Sequence, residues 1–346
     1  MTQALAAKAL PVERRHGGEL PMLRKRKLVP PGRYGLQKGR AVRALAVAVV
    51  FATVSSAFGA CSGGESPTAP LISAAASVAQ AAAAVTDQPA PMADEATNGK
   101  VMGFDTNTYP GDATMQAWIK TPGAPYKWVG FYLPSPCHKD ASWSGKRVAL
   151  GNMGWGFAVV YVGQQTWGRN PTPLPAARIA ALLRSGKTCN AGMLTAERGA
   201  ADAADAANKA AKEGFAKGSV VFLDIERMEV VPVAMRNYYK AWTDGMLADG
   251  RYLPGAYVHE HNAQLVHDDI KAEYAAKGVK AEPRFWIAGT KGYDEGKAPQ
   301  DVGFAFAGIW QGVINTAKAV ANVKLPVDVN VASWISPSET GSAPTQ

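Results

Sequence analysis

Val220-Val221-Phe222-Leu223-Asp224-Ile225-Glu226 runs four apolar residues into two carboxylates spaced i, i+2. A run this short and this apolar reads as a strand buried on both faces. On a strand, the spacing puts Asp224 and Glu226 on one face and Ile225 on the other. Similar runs recur on both sides of it: Val101–Thr106, Trp128–Leu133 and Phe157–Gly163 before, and Pro254–His259, Arg284–Ala288, Ala305–Gln311 and Val327–Ala332 after. Helical stretches separate several of them, at Ala113–Lys120, Pro175–Ser185, Thr195–Lys217, Val233–Ala248 and Ala263–Lys277. Eight strands with interleaved helices over about 235 residues fit an α/β fold of (β/α)8 TIM-barrel type in count and length. Little helix separates the last three strands, so the barrel is expected to be irregular there. A doubly wound open sheet gives the same alternation.

The folded domain is predicted over 101–336, because residues 62–100 contain no aromatic residue and are rich in Ala, Ser, Pro and Gly. Such a segment buries too little apolar surface to fold, so 61–100 reads as a disordered linker, and 337–346 as a polar tail. Ahead of the linker, Arg24, Lys25, Arg26, Lys27, Arg33, Lys38, Arg40 and Arg43 precede an apolar run from Ala44 to Val54. That run is too short to span a bilayer at roughly 20 residues, and the order is that of a secretory signal over 1–60. It explains the formal net charge of +9: residues 1–60 hold 11 Lys+Arg and 2 Asp+Glu, and the rest holds 26 of each. A neutral mature domain has no footprint for phosphate backbones, which sets nucleic acid aside.

Phe58-Gly59-Ala60-Cys61 resembles a bacterial lipobox, in which small residues precede a Cys that is lipidated. Cys61 is therefore expected to carry a membrane anchor; ordinary cleavage near Gly59 is the alternative. Of the three cysteines, Cys137 and Cys189 then remain as one disulfide pair in an oxidising compartment, or else as two buried thiols.

At the C-terminal end of a barrel strand, Asp224 and Glu226 would point into the mouth where barrel enzymes work. Two close carboxylates repel, so one is expected to hold its proton near neutral pH. Glycosidic cleavage needs that division: one acid protonates the leaving oxygen and an anion meets the oxocarbenium charge. As a purely structural pair, the same acids would cap a strand end against Arg227 or Arg236. Asp105 ends the first strand and Asp328 lies in the last, and closing the barrel makes those strands neighbours. Tyr257, Trp286, Trp310 and Gln311 lie in later strands, where aromatic faces can stack on sugars and Tyr and Gln can bond hydroxyls; core packing is the competing role.

The set GFDTNTYPG, FLDIE, PGAYV, FWIAG, IWQ and VDVN, in this order over 101–333, resembles the barrel of glycoside hydrolase family 25 lysozymes. It is closer still to the glycoside hydrolase-like domain-of-unknown-function family 1906. The resemblance implies Glu226 as proton donor, and Asp224 assisting the substrate acetamido group or the oxocarbenium-like centre. It also implies that Asp105 and Asp328 shape the site and bind substrate. The lysozymes often have Tyr after the Trp-Gln pair, where this chain has Gly312, and they lack an insertion carrying Cys137 and Cys189.

Two other motifs are dropped. Ser185-Gly186-Lys187-Thr188 lacks the first Gly of a phosphate-binding loop and follows a helix pattern. His259-Glu260-His261 offers two imidazoles but no third metal ligand at a usual spacing. The expectation is an exported, lipid-anchored monomer without metal or cofactor, acting on peptidoglycan or a related cell-envelope glycan as a glycosidase. A non-catalytic glycan-binding module using the same cleft is the alternative.

Overall fold

The computed structural model describes residues 99–340. The predicted signal segment, Cys61, nearly all of the linker and the last six residues lie outside them. Eight strands close a barrel in chain order: β1 (Val101–Asp105), β2 (Trp128–Leu133), β3 (Gly156–Tyr161), β4 (Val220–Ile225), β5 (Leu253–His259), β6 (Phe285–Ala288), β7 (Ala307–Val320) and β8 (Val323–Ala332). All eight expected strands are present, and closure excludes the open sheet. Neighbours from β1 to β7 pair in parallel, whereas β8 runs antiparallel to both β7 and β1. The irregularity foreseen near the end is therefore a hairpin. Its turn is Ala321-Asn322, both at positive φ of 50° and 64°, the two-residue geometry that suits the twist of paired strands. The distal hairpin is tied to the helix that follows β1, where Trp118 Nε1 donates to the Val323 carbonyl at 3.1 Å.

Six helices lie between strands: α1 (Asp112–Lys120), α2 (Arg147–Met153), α3 (Ala176–Arg184), α4 (Ala196–Glu213), α5 (Val233–Asp249) and α6 (Ala263–Ala276). The Ala-rich α4 starts at Thr195, whose hydroxyl accepts from Arg198 N at 3.1 Å, and stops at left-handed Gly214. Its small residues form a buried stripe of Ala203, Ala206, Ala207 and Ala210, which lets α5 approach closely. Helix α2 has no counterpart among the expected elements. Cys137 and Cys189 are disulfide-bonded, tying the loop after β2 to the segment after α3.

Strand alternation sorts the apolar residues into two cores. Val101, Trp128, Ala158, Val160, Val220, Phe222, Trp286 and Ile309 fill the barrel, while a larger cluster packs strands against helices. The base of the barrel, where β1–β7 begin, is sealed by residues that follow β8. Ser336 Oγ accepts from Phe157 N at 3.1 Å and Ser338 Oγ from Val159 N at 2.7 Å. Val220 N donates to the Ser338 carbonyl, and Arg284 Nη1 to the carbonyls of Pro337 and Glu339. Gly156 makes room for this strap, because a Cβ there would fall 1.9 Å from the Ile335 carbonyl oxygen. The boundary at 336 is thus too early: residues 337–340 are part of the fold, because strand-end amides at the base need acceptors and the serines supply them.

Candidate active site

The mouth of the barrel gathers acids from three strands. Asp224 is the penultimate residue of β4, Glu226 follows the strand's last residue, and Asp105 ends β1. Because β8 runs backwards, Asp328 near its middle is the direct partner of Asp105 in the ladder. All four acids, with Tyr132, Tyr257 and Trp286, line one recess. Above it opens a cleft of about 360 Å³ whose further walls are Thr106, Asn107, Cys137, His138, Asn315 and Pro326.

A hydrogen-bond web fixes one side of the recess. Asp105 Oδ2 accepts from the Tyr132 hydroxyl at 2.8 Å, and Oδ1 accepts from Gln311 Nε2 at 2.9 Å and Asn330 Nδ2 at 2.8 Å. Tyr257 donates to Gln311 Oε1 at 2.7 Å, and Trp286 Nε1 to Asn330 Oδ1 at 2.8 Å. Asp328 Oδ1 accepts from the Asn315 amide at 2.5 Å, which locks the hairpin to the site. On the opposite side, buried Gln165 clamps the end of β4. Its Nε2 donates to the Asp224 carbonyl at 2.8 Å and its Oε1 accepts from Glu226 N at 3.3 Å. Asp224 itself is 9% exposed, and its Oδ1 has no hydrogen-bond partner.

Crowded, desolvated acids hold their protons. Burial first, then the negative charge of Asp328, pushes Asp105 up to about 7, against the pull of its three hydrogen-bond donors. Burial, followed by Glu226 and Asp105, raises Asp224 well above the carboxylate range. Glu226 stands at the exposed rim, yet its carboxyl is also raised, by desolvation and by Asp328, with the Arg227 amide opposing. Asp328 is raised by desolvation, with the Asn315 amide opposing. All four carboxyls are thus shifted toward the protonated form, Asp105 to about 7, and burial is the first cause in each.

Among the expected site residues, Asp105, Asp224, Glu226, Tyr257, Trp286 and Asp328 meet in the recess, and Gln311 is bonded to three of its members, Asp105, Tyr257 and Asp328. Trp286 is fully buried and forms the floor, with edge-on contacts to Trp128, Phe222 and Tyr257, so it offers no face to a ligand. Trp310 is not in the site. Its neighbour Gln311 points inward, so its own ring points out of the barrel, fully buried, donating to the Gly289 carbonyl and packing edge-on against Tyr293 at 5.0 Å. Gly312 is explained by the same ring: a Cβ at 312 would lie 1.7 Å from Tyr293.

Tyr132, Gln165, Asn315 and His138 belong to the site although no motif contains them, and Asn330 belongs to it although the VDVN motif points only to its acid. Tyr132 has a signal, since it lies in an expected strand at the same end as Asp105. Asn330 has one as well, two positions along β8 from Asp328. His259 and His261 hold the loop after β5 rather than a ligand: His259 Nδ1 accepts from His261 N, and His261 Nε2 bonds the Glu229 carbonyl. Among the described residues, no group of three or more His, Cys, Asp or Glu is arranged to hold a metal ion, and no helix is long and apolar enough to cross a membrane.

A closed barrel with paired acids at the C-terminal end of β4 is the architecture of a glycoside hydrolase-like domain. Residues 116–332 match the family described as the Rv2525c-like, glycoside hydrolase-like domain, and the chain belongs to that family. No curated protein matches the chain. Among solved structures, an uncharacterized protein of B. stearothermophilus is 17% identical at a TM-score of 0.44, covering 67% of this chain and 95% of its own. The spore cortex lytic enzyme SleM of Clostridium perfringens is 13% identical at 0.43, covering 67% of each chain. The Tat-secreted protein Rv2525c of Mycobacterium tuberculosis, in complex with L-tartrate, is 14% identical at 0.40, covering 68% of this chain and all of its own.

Proposed function

We propose that the chain is an exported, lipid-anchored glycosidase, working as a monomer on peptidoglycan or a related cell-envelope polysaccharide. The observation that carries this reading is the pair Asp224 and Glu226 at the mouth, the one buried and the other on the rim, both inclined to keep their protons. Glu226 meets solvent and approaching ligand, and it acts as the general acid that protonates the glycosidic oxygen. Asp224, set deeper, orients the acetamido group or stabilises positive charge at the reacting carbon once it is ionised. Asp105, Asp328 and Tyr257 hold the sugar by hydrogen bonds around the recess. The choice of peptidoglycan is supported by the motif order shared with family 25 lysozymes. Export and the anchor at Cys61 are supported by the basic, apolar and small-residue order ahead of it.

The test is reducing-end release from purified peptidoglycan by the parent and by Glu226→Gln. General-acid catalysis is worth about 10²–10⁴-fold, so release is expected to fall by about 10³ in the variant while glycan binding persists. Equal release by both ends the assignment of Glu226. Silence from both, with saturable binding, puts the non-catalytic module in its place.

A further inference from the structure

The glycan reading leaves a second recess unexplained. It has a volume of about 250 Å³ and is lined by Thr166, Arg169, Asn170, Met228, Glu229 and Pro232. Both of its walls continue directly from the acid site. One follows Gln165, the clamp on β4, and the other begins two residues after Glu226. The second wall is held by Asn262, which bonds both the amide and the carbonyl of Met228, at 3.0 and 2.9 Å.

Two side chains have no structural employment among the described residues: Arg169, which lines the recess, and Trp167, which stands beside it between the lining residues Thr166 and Gly168. Trp167 is 59% exposed and sits at φ 53°, a conformation uncommon for a bulky residue, between buried Thr166 and Gly168. Its indole is presented to solvent while the tryptophans of the barrel are buried. Val230, which lines the recess, adds apolar surface and is 79% exposed. Arg169 makes no ion pair and no side-chain hydrogen bond among the described residues, whereas its neighbour across the recess, Glu229, is paired with Arg227 at 3.0 Å.

Resting on the glycan reading, we infer that this recess is a subsite beside the acid cleft for a sugar carrying a carboxylate. Trp167 stacks on the sugar face and Arg169 takes the carboxylate as a charge-assisted, two-pronged pair. A lactyl ether free of stem peptide and a uronic acid both supply that chemistry, and neutral sugars do not. Preference among glycans is thereby set at a position separate from the four acids.

The experiment is titration calorimetry on the full chain carrying Glu226→Gln, which prevents turnover. Three tetrasaccharides are compared: alternating N-acetylglucosamine and N-acetylmuramic acid, neutral chitotetraose, and alternating glucuronic acid and N-acetylglucosamine. The expected result is about tenfold tighter binding of at least one acidic ligand over the neutral one, as one charge-assisted contact provides. Which acidic ligand gains identifies the source of the carboxylate. Adding Arg169→Gln should erase that difference without changing the chitotetraose Kd, and Trp167→Ala should weaken all ligands about five- to tenfold. Equal affinities for acidic and neutral ligands, or a preference that survives Arg169→Gln, overturns the inference and leaves the glycan reading standing. No affinity for any of the three overturns both.

Discussion

At the mouth of the barrel, four carboxyls share one recess and Asp224 Oδ1 has no hydrogen-bond partner. At the base, the hydroxyls of Ser336 and Ser338 and the Ser338 carbonyl each meet a strand amide, and Arg284 gathers two carbonyls. Both ends are polar and both are largely buried. They differ in whether the polar groups satisfy one another. The base is a closed set of hydrogen bonds and serves stability, whereas the mouth crowds carboxyls that disfavour one another's ionisation, at a cost in stability. That cost is what leaves protons and acceptors for a ligand.

Substitutions can separate the two ends. The largest effect belongs to the mouth: Glu226→Gln is expected to remove about 10³-fold of turnover while the thermal midpoint holds or rises slightly. A matching loss of stability would mean that the acids are a structural cluster after all. Next comes the base. Gly156→Ala forces a Cβ into the Ile335 carbonyl and displaces the strap, with an expected loss of about 3 kcal/mol or more in denaturant unfolding. Activity per folded molecule should not change; a kinetic defect at full stability would break the division. The disulfide lies between these cases, because Cys137 lines the cleft while its bond closes a separation of 52 residues. Cys137→Ser with Cys189→Ser should cost about 2–4 kcal/mol and also raise KM, since the wall bearing His138 loosens. An unchanged KM would assign the bond to the base's kind of work.

The smallest effect, taken per pH unit, is a pH slope. Asp105 has an unfolded value near 3.8 and a folded one of about 7, so the folded state binds the extra proton between them. Stability is therefore fully supported below the lower value and declines as pH rises through the upper one, by on the order of 1 kcal/mol per pH unit. Asp105→Asn should flatten the slope between pH 4 and 7 in calorimetric midpoints. An unaltered slope would assign it to the other acids.

The barrel is legible in the sequence because strands buried on both faces are written as continuous apolar runs, and because acids spaced by two must share a face. The same parity rule accounts for Trp310. Trp310 and Gln311 are adjacent on a strand, so only one of them can face the interior, and an expectation that both line the site conflicts with the alternation of side chains. Helix α2 is not legible, since its seven residues include a glycine and bury only Leu150. The long arm of β7 escapes because Asn315-Thr316-Ala317-Lys318 has no apolar alternation and is held by its hairpin partner. The strap reads as a tail because serines and prolines after a strand look like solvent. Only the unpaired amides at the base, a tertiary fact, turn them into structure.

Strand β1 enters at the base, and the strap ends there too, with Thr340 bonding the Gly218 carbonyl ahead of β4. The described chain therefore begins and finishes on the face opposite the cleft. A support gripping either end, whether a sensor chip, a resin or a fused partner, would hold the barrel from behind. The acids and the Trp167 lip would then look outward, which makes surface immobilisation a natural format for presenting large, insoluble glycans to this protein.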